Sequence, residues 1–372
     1  MSLVEITTLT PIHIGNGNFL QNNTDFVEYK TDNDSYLSII DPKKVLAFTG
    51  IEHIADWVLA IENKRDITEW VRQYNKHAHP RNYAKRTITN YAHQIKSTDT
   101  LKECIHNGMG NPYIPGSSIK GAIRTAILSS LAKGKPLEFK IKEKNSKISA
   151  KSIEADFFGK DPNSSVFRFL QVGDAYFEKE SEIATRMINL NIRKQEELQD
   201  KSKSQLVEAI GAENTASFQV KLATEYYSWA ESNWNKEGMI GYLPKDMVSL
   251  PLMSQAINNH TRTLVKSEIE YWDELSEKGY EGAEDYLSTL HFISDEIRNC
   301  KKGKECVLRI GHGSGWRFIT GAWSEKLSNF DTIIAASRPN NHRYTQYDFP
   351  KSRRIDEEGD VLGFVKLSMT NI

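Results

Sequence analysis

Hydrophobic and polar positions alternate from the start of the chain. Leu3 to Leu9, containing VEITTL, predicts a strand that Thr10-Pro11 ends. In the run IHIGNGNF that follows, Gly15 and Gly17 predict a tight turn with positive φ or a close backbone approach. Phe26 to Tyr29 and Tyr36 to Ile40 read as a hairpin across the polar turn TDNDS, and Asp41-Pro42 as a helix start. Lys43 to Ile95 reads as mainly helical with polar breaks.

The stretch around which the chain is organised is Tyr113 to Leu131, YIPGSSIKGAIRTAILSSL. Pro115 and Gly116 predict a loop, and Ser117 and Ser118 suit a helix N-cap. Ile119, Ala122, Ile123, Ala126, Ile127 and Leu131 recur at helical spacing as one apolar stripe. Gly121 costs that helix about 1 kcal/mol against alanine, so its expected return is close approach of another backbone.

Further on, Lys133 to Lys151 reads as a basic loop, and Phe157-Phe158-Gly159 closes a short helix. VFRFLQV (Val166 to Val172) reads as a strand ending at Gly173-Asp174, Glu178 to Lys201 as helix or charged excursion, and ASFQVKLA (Ala216 to Ala223) as a strand. Glu225 to Ile297 is mostly helical, broken at Pro244 and Pro251, with Met253, Ile257, Leu264 and Ile269 as core positions. A strand, VLRI, then enters Gly311-His312-Gly313-Ser314-Gly315. The tail from Arg338 to Arg354 is basic, with Arg338, Arg343, Lys351, Arg353 and Arg354 against one acid, Asp348, and Val361 to Met369 reads as the last strand.

The chain of 372 residues is long enough for a sizeable core and two domains. Its net charge of -1 hides an asymmetry. Ser117 to Lys151 holds nine Lys/Arg against two acids, whereas Lys266 to Arg298 holds ten acids against three bases. The first segment suits a polyanion and the second does not. Three cysteines without C-x-x-C spacing argue against a disulfide scaffold or structural zinc and fit a reducing cytoplasm. Neither a signal peptide nor a membrane span is expected.

Three sites carry chemistry. Lys120 and Arg124 share a face in the first two helical turns beside Gly116, Ser117 and Ser118. A helix N-terminus with two cations suits a phosphate, although a buried helix with solvated charges explains the same residues. Three glycines at alternate positions strip the 311–315 loop of side chains, so it can lie flat against a phosphodiester or another backbone. Trp316-Arg317 adds a stacking surface beside a cation. His13 and Asn16 lie in the first glycine motif, and a lone histidine on an apolar strand is more often packed than catalytic. Neither glycine stretch is a P-loop or a dinucleotide fingerprint, and no HD pair, H-E-x-x-H or paired Asp cluster supports a metal enzyme. RNYAKR (Arg81 to Arg86) with Tyr91 mixes bases and aromatics, as nucleic-acid surfaces and ordinary surfaces both do.

TPIHIGNG (Thr10 to Gly17), YIPGSSIKGAIR and RIGHGSGW together resemble the RAMP superfamily of CRISPR proteins, and LQVGDA (Leu170 to Ala175) is similar to that family's strand with a terminal aspartate. Order and length look most like the fifth-subunit family of the type III-A Csm effector complex. The resemblance implies an α+β fold: a ferredoxin-like core over 1–225 with 303–372, and a helical insertion over 226–302. It implies a cytoplasmic, non-catalytic subunit without cofactor or metal. Such a subunit binds single-stranded crRNA toward its 3′ end, supports maturation of that end, and meets other Csm subunits, mainly the repeated backbone RAMP subunit, and target RNA. Carried over by position, Gly116, Ser117, Ser118, Lys120 and Arg124 contact RNA phosphates. Gly311, His312, Gly313, Ser314 and Gly315 form the glycine-rich loop beside them, with His13, Asn16, Trp316 and Arg317 nearby. The alternative is a metal-independent endoribonuclease with His13 or His312 as general base and Lys120 stabilising the phosphorane.

Overall fold

A computed structural model describes residues 1–133, 151–194, 198–234, 241–280, 282–319, 322–337 and 350–370. The basic loop expected after Lys133, and Arg338 to Arg343 in the basic tail, lie outside them. The chain opens with β1 (Ser2–Thr8), β2 (Gly15–Gln21), β3 (Phe26–Lys30) and β4 (Ser35–Ile40). Three helices follow, α1 (Pro42–Thr49), α2 (Ile54–Glu62) and α3 (Ile67–Tyr74), then β5 (Ala84–Asn90), β6 (Thr100–Cys104) and β7 (Tyr113–Ile114). The middle holds α4 (Gly116–Ala132), α5 (Lys151–Phe158), β8 (Leu170–Val172), β9 (Ala175–Tyr176), β10 (Glu182–Asn191), β11 (Gln199–Ile210) and β12 (Thr215–Leu222). Last come α6 (Thr224–Trp234), α7 (Leu250–Glu277), α8 (Ala283–Asn299), β13 (Glu305–Arg309), α9 (Phe330–Ser337), β14 (Ser352–Ile355) and β15 (Phe364–Met369).

The first sheet has the order β13-β15-β1-β12-β8 and is antiparallel throughout. In β1 the residues Val4, Ile6 and Thr8 face inward, as alternation predicts. The apolar stripe of α4 packs on this sheet, with Ile119, Ile123, Ala126 and Ile127 in one core with Val4, Ile6, Leu308 and Leu367. The first half of α7 joins the same core through Met253, Ala256 and Ile257. Its second half supplies Val265, Trp272 and Leu275 to another core with α8, Val307 and Phe364. The expected core positions Met253 and Ile257 are therefore buried, and Leu264 and Ile269 are partly so.

The second sheet runs β2-β6-β11-β10-β5-β4-β3, with β14 on the far half of β10. The predicted hairpin is β3–β4, and Asp41 caps α1 by accepting from the Lys43 amide (3.0 Å). The sheets meet where the chain crosses between them. Ile12 and Ile210 exchange backbone hydrogen bonds, and the β11–β12 turn brings Asn214 to accept from the Thr8 amide (2.9 Å).

Several expectations change. Gly15 and Gly17 begin β2 and form no tight turn, but the expected positive φ is present at Gly17 (+95°), where the register with β6 slips between Gly15 and Phe19. The supposedly helical 43–95 region contains strand β5. Val166 to Phe169 is a 3₁₀ turn, which leaves only Leu170–Val172 as strand. Glu178 to Lys201 is neither helix nor excursion: β10 runs through it and is buried on both faces, so no alternation marks it.

Candidate nucleic-acid interface

The glycine loop leaves β13 and turns back across the junction of the two sheets. Gly311, Gly313 and Gly315 have φ of +89°, +94° and +75°, which side chains rarely adopt. At Gly311 a Cβ would also stand 2.8 Å from the His13 carbonyl oxygen. That crowding reflects a direct pairing: the His312 amide donates to the His13 carbonyl (2.9 Å), so the two glycine motifs lie side by side. Ser314, fully buried, closes the loop by donating to the Gly311 carbonyl (2.7 Å). The buried Arg309 guanidinium holds it from within, donating to the carbonyls of Leu362 (2.9 Å) and Gly313 (3.4 Å).

The two histidine rings meet edge to face, 5.8 Å apart. His13 is 2% exposed, with Nδ1 2.6 Å from the Glu208 carbonyl oxygen. Nδ1–H donates there, which leaves Nε2 as the acceptor. Burial lowers its pKa. His312 is more open, and its pKa is pushed down to about 4 by burial and then by Lys102 and Arg354. Lys102 Nζ lies 3.4 Å from His312 Nε2. Arg354 reaches Gln205 Oε1 (3.4 Å) and Met187 Sδ (3.6 Å). Neither cation pairs with a carboxylate among the described residues, and burial lowers the pKa of both. Asn16 and Asn18 hold the bulge of β2 by donating to Glu103 Oε2 (2.7 and 3.0 Å). Asn16 thus supports the site from the side.

Beneath it lies a buried charge cluster. Arg86 pairs with Glu103 (3.2 Å), Glu182 (3.3 Å) and Glu208, and His106 with Glu182 (2.7 Å). Burial and the neighbouring Glu182 raise the Glu208 pKa to about 8. Glu103, His106 and Glu208 have the spacing of a cation site, with ligand atoms within 4.8 Å of one another, but Arg86 already supplies a positive charge to two of them.

The N-terminus of α4 differs from expectation. Its cap is Pro115, and neither Ser117 nor Ser118 caps it. Asp174, the aspartate of LQVGDA, accepts from the Gly116 amide (2.7 Å). A carboxylate thus holds the place anticipated for a phosphate. Gly116 is needed for that packing, since its Cβ would stand 2.2 Å from the Val172 carbonyl oxygen. A Cβ at Gly121 would meet nothing within 4 Å among the described residues, so no described backbone makes the close approach expected there. Arg124 donates to Glu154 (2.9 Å) and lies 4.8 Å over the Phe158 ring. Lys120 is half-buried, and burial followed by Arg124 lowers its pKa. Both line a separate groove of about 550 Å³ with Lys160, Arg168, Glu154 and Asp161.

The surface expected at Trp316-Arg317 is turned inward. Trp316 packs 5.7 Å from Phe330, and Arg317 pairs with Glu268 (2.6 Å) and Glu325 (3.1 Å). Arg354 was legible only as one base of the tail from Arg338 to Arg354, not as a site residue. Lys102 escaped sequence reasoning, because its neighbour Glu103 is charged yet buried and leaves no alternation to read.

The RAMP superfamily profile matches residues 5–318, and the chain belongs to this superfamily. Within it, the chain is similar to a curated protein of Methanocaldococcus jannaschii named CRISPR system Cms protein Csm5. The two are 28% identical over 335 residues, 84% of this chain and 71% of that protein. Two solved structures share the fold at 18% identity and TM-score 0.67. One is the crystal structure of T. onnurineus Csm5, matching 97% of this chain and 99% of that one. The other is a chain of the type III-A Csm–crRNA–target RNA ternary complex, matching 99% and 100%.

Proposed function

We propose that this chain is a crRNA-binding subunit of a type III-A CRISPR Csm effector complex. It acts in the cytoplasm at the crRNA 3′-end region and supports crRNA maturation, complex assembly and antiviral defence. Its partners are crRNA, the other Csm subunits, mainly the repeated backbone RAMP subunit, and target RNA. One observation carries the reading: two glycine-bared backbones, 13–17 and 311–315, are hydrogen-bonded side by side next to cations that have no carboxylate partner among the described residues. Bare backbone admits close approach of a ribose-phosphate chain, and unpaired cations attract it. Gly116, Ser117, Ser118, Lys120 and Arg124 belong to the same proposal as a second contact region. Within it Lys120 is the cation that has no ion pair among the described residues.

The core is proposed to be ferredoxin-like. The strand order β15-β1-β12-β8, with α4 between β1 and β8 and α7 between β12 and β15, supports this. The division expected from the resemblance, 1–225 with 303–372 as core and 226–302 as helical insertion, is amended in this proposal. Helix α7 is the core's second helix, with Met253, Ala256 and Ile257 in the core packed on the first sheet, and the addition is the rest of 226–302. No helix among the described residues is long and apolar enough to cross a membrane.

The second reading is a metal-independent endoribonuclease. Its support is the adjacency of a base and a cation: His312 is neutral at pH 7 and Lys102 lies 3.4 Å from it. Purified protein incubated with end-labelled RNA carrying a crRNA repeat tag, with and without EDTA, separates the two. A shifted but intact RNA supports the binding subunit. Cleavage in EDTA, lost in His13→Ala or His312→Ala with binding retained, supports the nuclease. RNA that stays unshifted refutes both.

A further inference from the structure

We infer that the open face of the second sheet beside the glycine loop is a one-nucleotide subsite, in which Lys102 and Arg354 clamp a phosphate of single-stranded RNA and Phe19 stacks the base next to it. This rests on the RNA-binding reading above and names residues which that reading does not contain. Phe19 and Lys102 are register partners on β2 and β6, with Lys102 Nζ 5.6 Å from the Phe19 ring centre. Lys102 in turn pairs with Val207 on β11, and Gln205 of that strand bonds Arg354 of β14. The residues therefore form a row across the sheet, over a floor of buried Met187, Val207 and Leu362. The glycine loop borders this floor: a Cβ at Gly313 would stand 3.0 Å from Met187 Sδ.

The charge pattern points to an anion. The other arginines buried in this region have fixed partners: Arg86 three glutamates, Arg186 Asp99 and Glu357, Arg353 Glu268, and Arg309 two carbonyls. Lys102, 3.4 Å from His312 Nε2, and Arg354, on Gln205 of the neighbouring strand, instead stand close enough for Arg354 to lower the Lys102 pKa, and like charges held close raise the energy of the empty site. A phosphodiester relieves that repulsion with charge-assisted hydrogen bonds. Glu103 on the rim does not, because Asn16 and Asn18 hold one of its oxygens and Arg86 the other. Phe19 is 55% exposed on the sheet-edge strand β2. A flat ring beside a cation is a stacking platform that accepts any base.

The test is fluorescence anisotropy of labelled, unstructured single-stranded RNA across a salt series. Phe19→Ala is expected to weaken binding about tenfold for uridine-rich and mixed sequences alike. Lys102→Gln with Arg354→Gln is expected to reduce the log–log salt slope by about 0.7, the one phosphate that the pair neutralises on a single strand. Lys43→Gln on α1 is the unchanged control. Wild type that binds while the variants match it in affinity and slope overturns the subsite and leaves RNA binding standing. Wild type that binds no RNA overturns both. A second readout needs no variant: 4-thiouridine RNA photo-crosslinked to wild type is expected to modify the peptide containing Phe19, and adducts confined to other faces overturn the assignment.

Discussion

Replacing Glu268 by glutamine is expected to be the most damaging single change in the α7 region. Glu268 is fully buried. It accepts from Arg353 Nη2 (2.7 Å), Arg317 Nη1 (2.6 Å) and the Tyr286 hydroxyl (2.8 Å). Arg353 is 5% exposed, so its charge has no solvent to fall back on. Glutamine keeps the shape, but it removes the negative charge that, among the described residues, both guanidiniums share, and it turns an NH₂ toward them. Breaking a buried ion pair costs about 3–5 kcal/mol, a large part of the ~5–15 kcal/mol that stabilises a typical protein. Urea unfolding followed by tryptophan fluorescence is suited to measuring it, because buried Trp272 packs 4.6 Å from Tyr286.

A pH series checks the cause. The two arginines hold the Glu268 carboxyl down at about 2 against burial. Its contribution is therefore full above the ordinary carboxylate pKa near ~4.3 and is lost as pH falls through about 2. Wild type and Glu268→Gln should differ most at pH 5 to 7 and converge toward pH 2. An unchanged urea midpoint at pH 7 refutes the argument, and so does a gap that persists undiminished at the lowest pH.

Other outcomes follow from the same geometry. Gly116→Ala should destabilise by about 1–3 kcal/mol through its clash with the Val172 carbonyl, whereas Gly121→Ala, with open space around it, should stabilise by up to about 1 kcal/mol; denaturant midpoints moving the same way for both would contradict this. Lys120→Ala should lower RNA affinity for all sequences alike with stability unchanged. Arg124→Ala should lower the melting temperature as well, since it removes the Glu154 pair and the Phe158 contact. The Glu208 carboxyl, raised to about 8, binds its proton more tightly folded than unfolded. Stability should therefore fall as pH rises from about 5 to about 8, and Glu208→Gln should flatten that part of the profile; an equally steep profile in the variant would place the titration elsewhere.

Local rules made much of the chain legible. Alternation marked β1, the β3–β4 hairpin followed from two strand runs around a polar turn, Asp41-Pro42 opened α1, and the stripe in α4 packs as its spacing requires. The glycine loop and His13 were also visible, because positive φ and close approach demand glycine whatever lies nearby. Strand β10 was hidden for a physical reason. Its residues are buried on both faces, and Glu182 and Arg186 look like surface charges until their partners are known. Arg317 and Arg353 misled in the same way, since Glu268, which neutralises them, lies 49 and 85 residues away in the chain. The row from Phe19 through Lys102 to Arg354, with His312 beside it, is the plainest case. Hydrophobic periodicity and turn chemistry act between near neighbours and so are written in the sequence itself. Which charges meet across a sheet, and which are left without a counter-charge, is decided only when β2, β6, β11, β10 and β14 close into register.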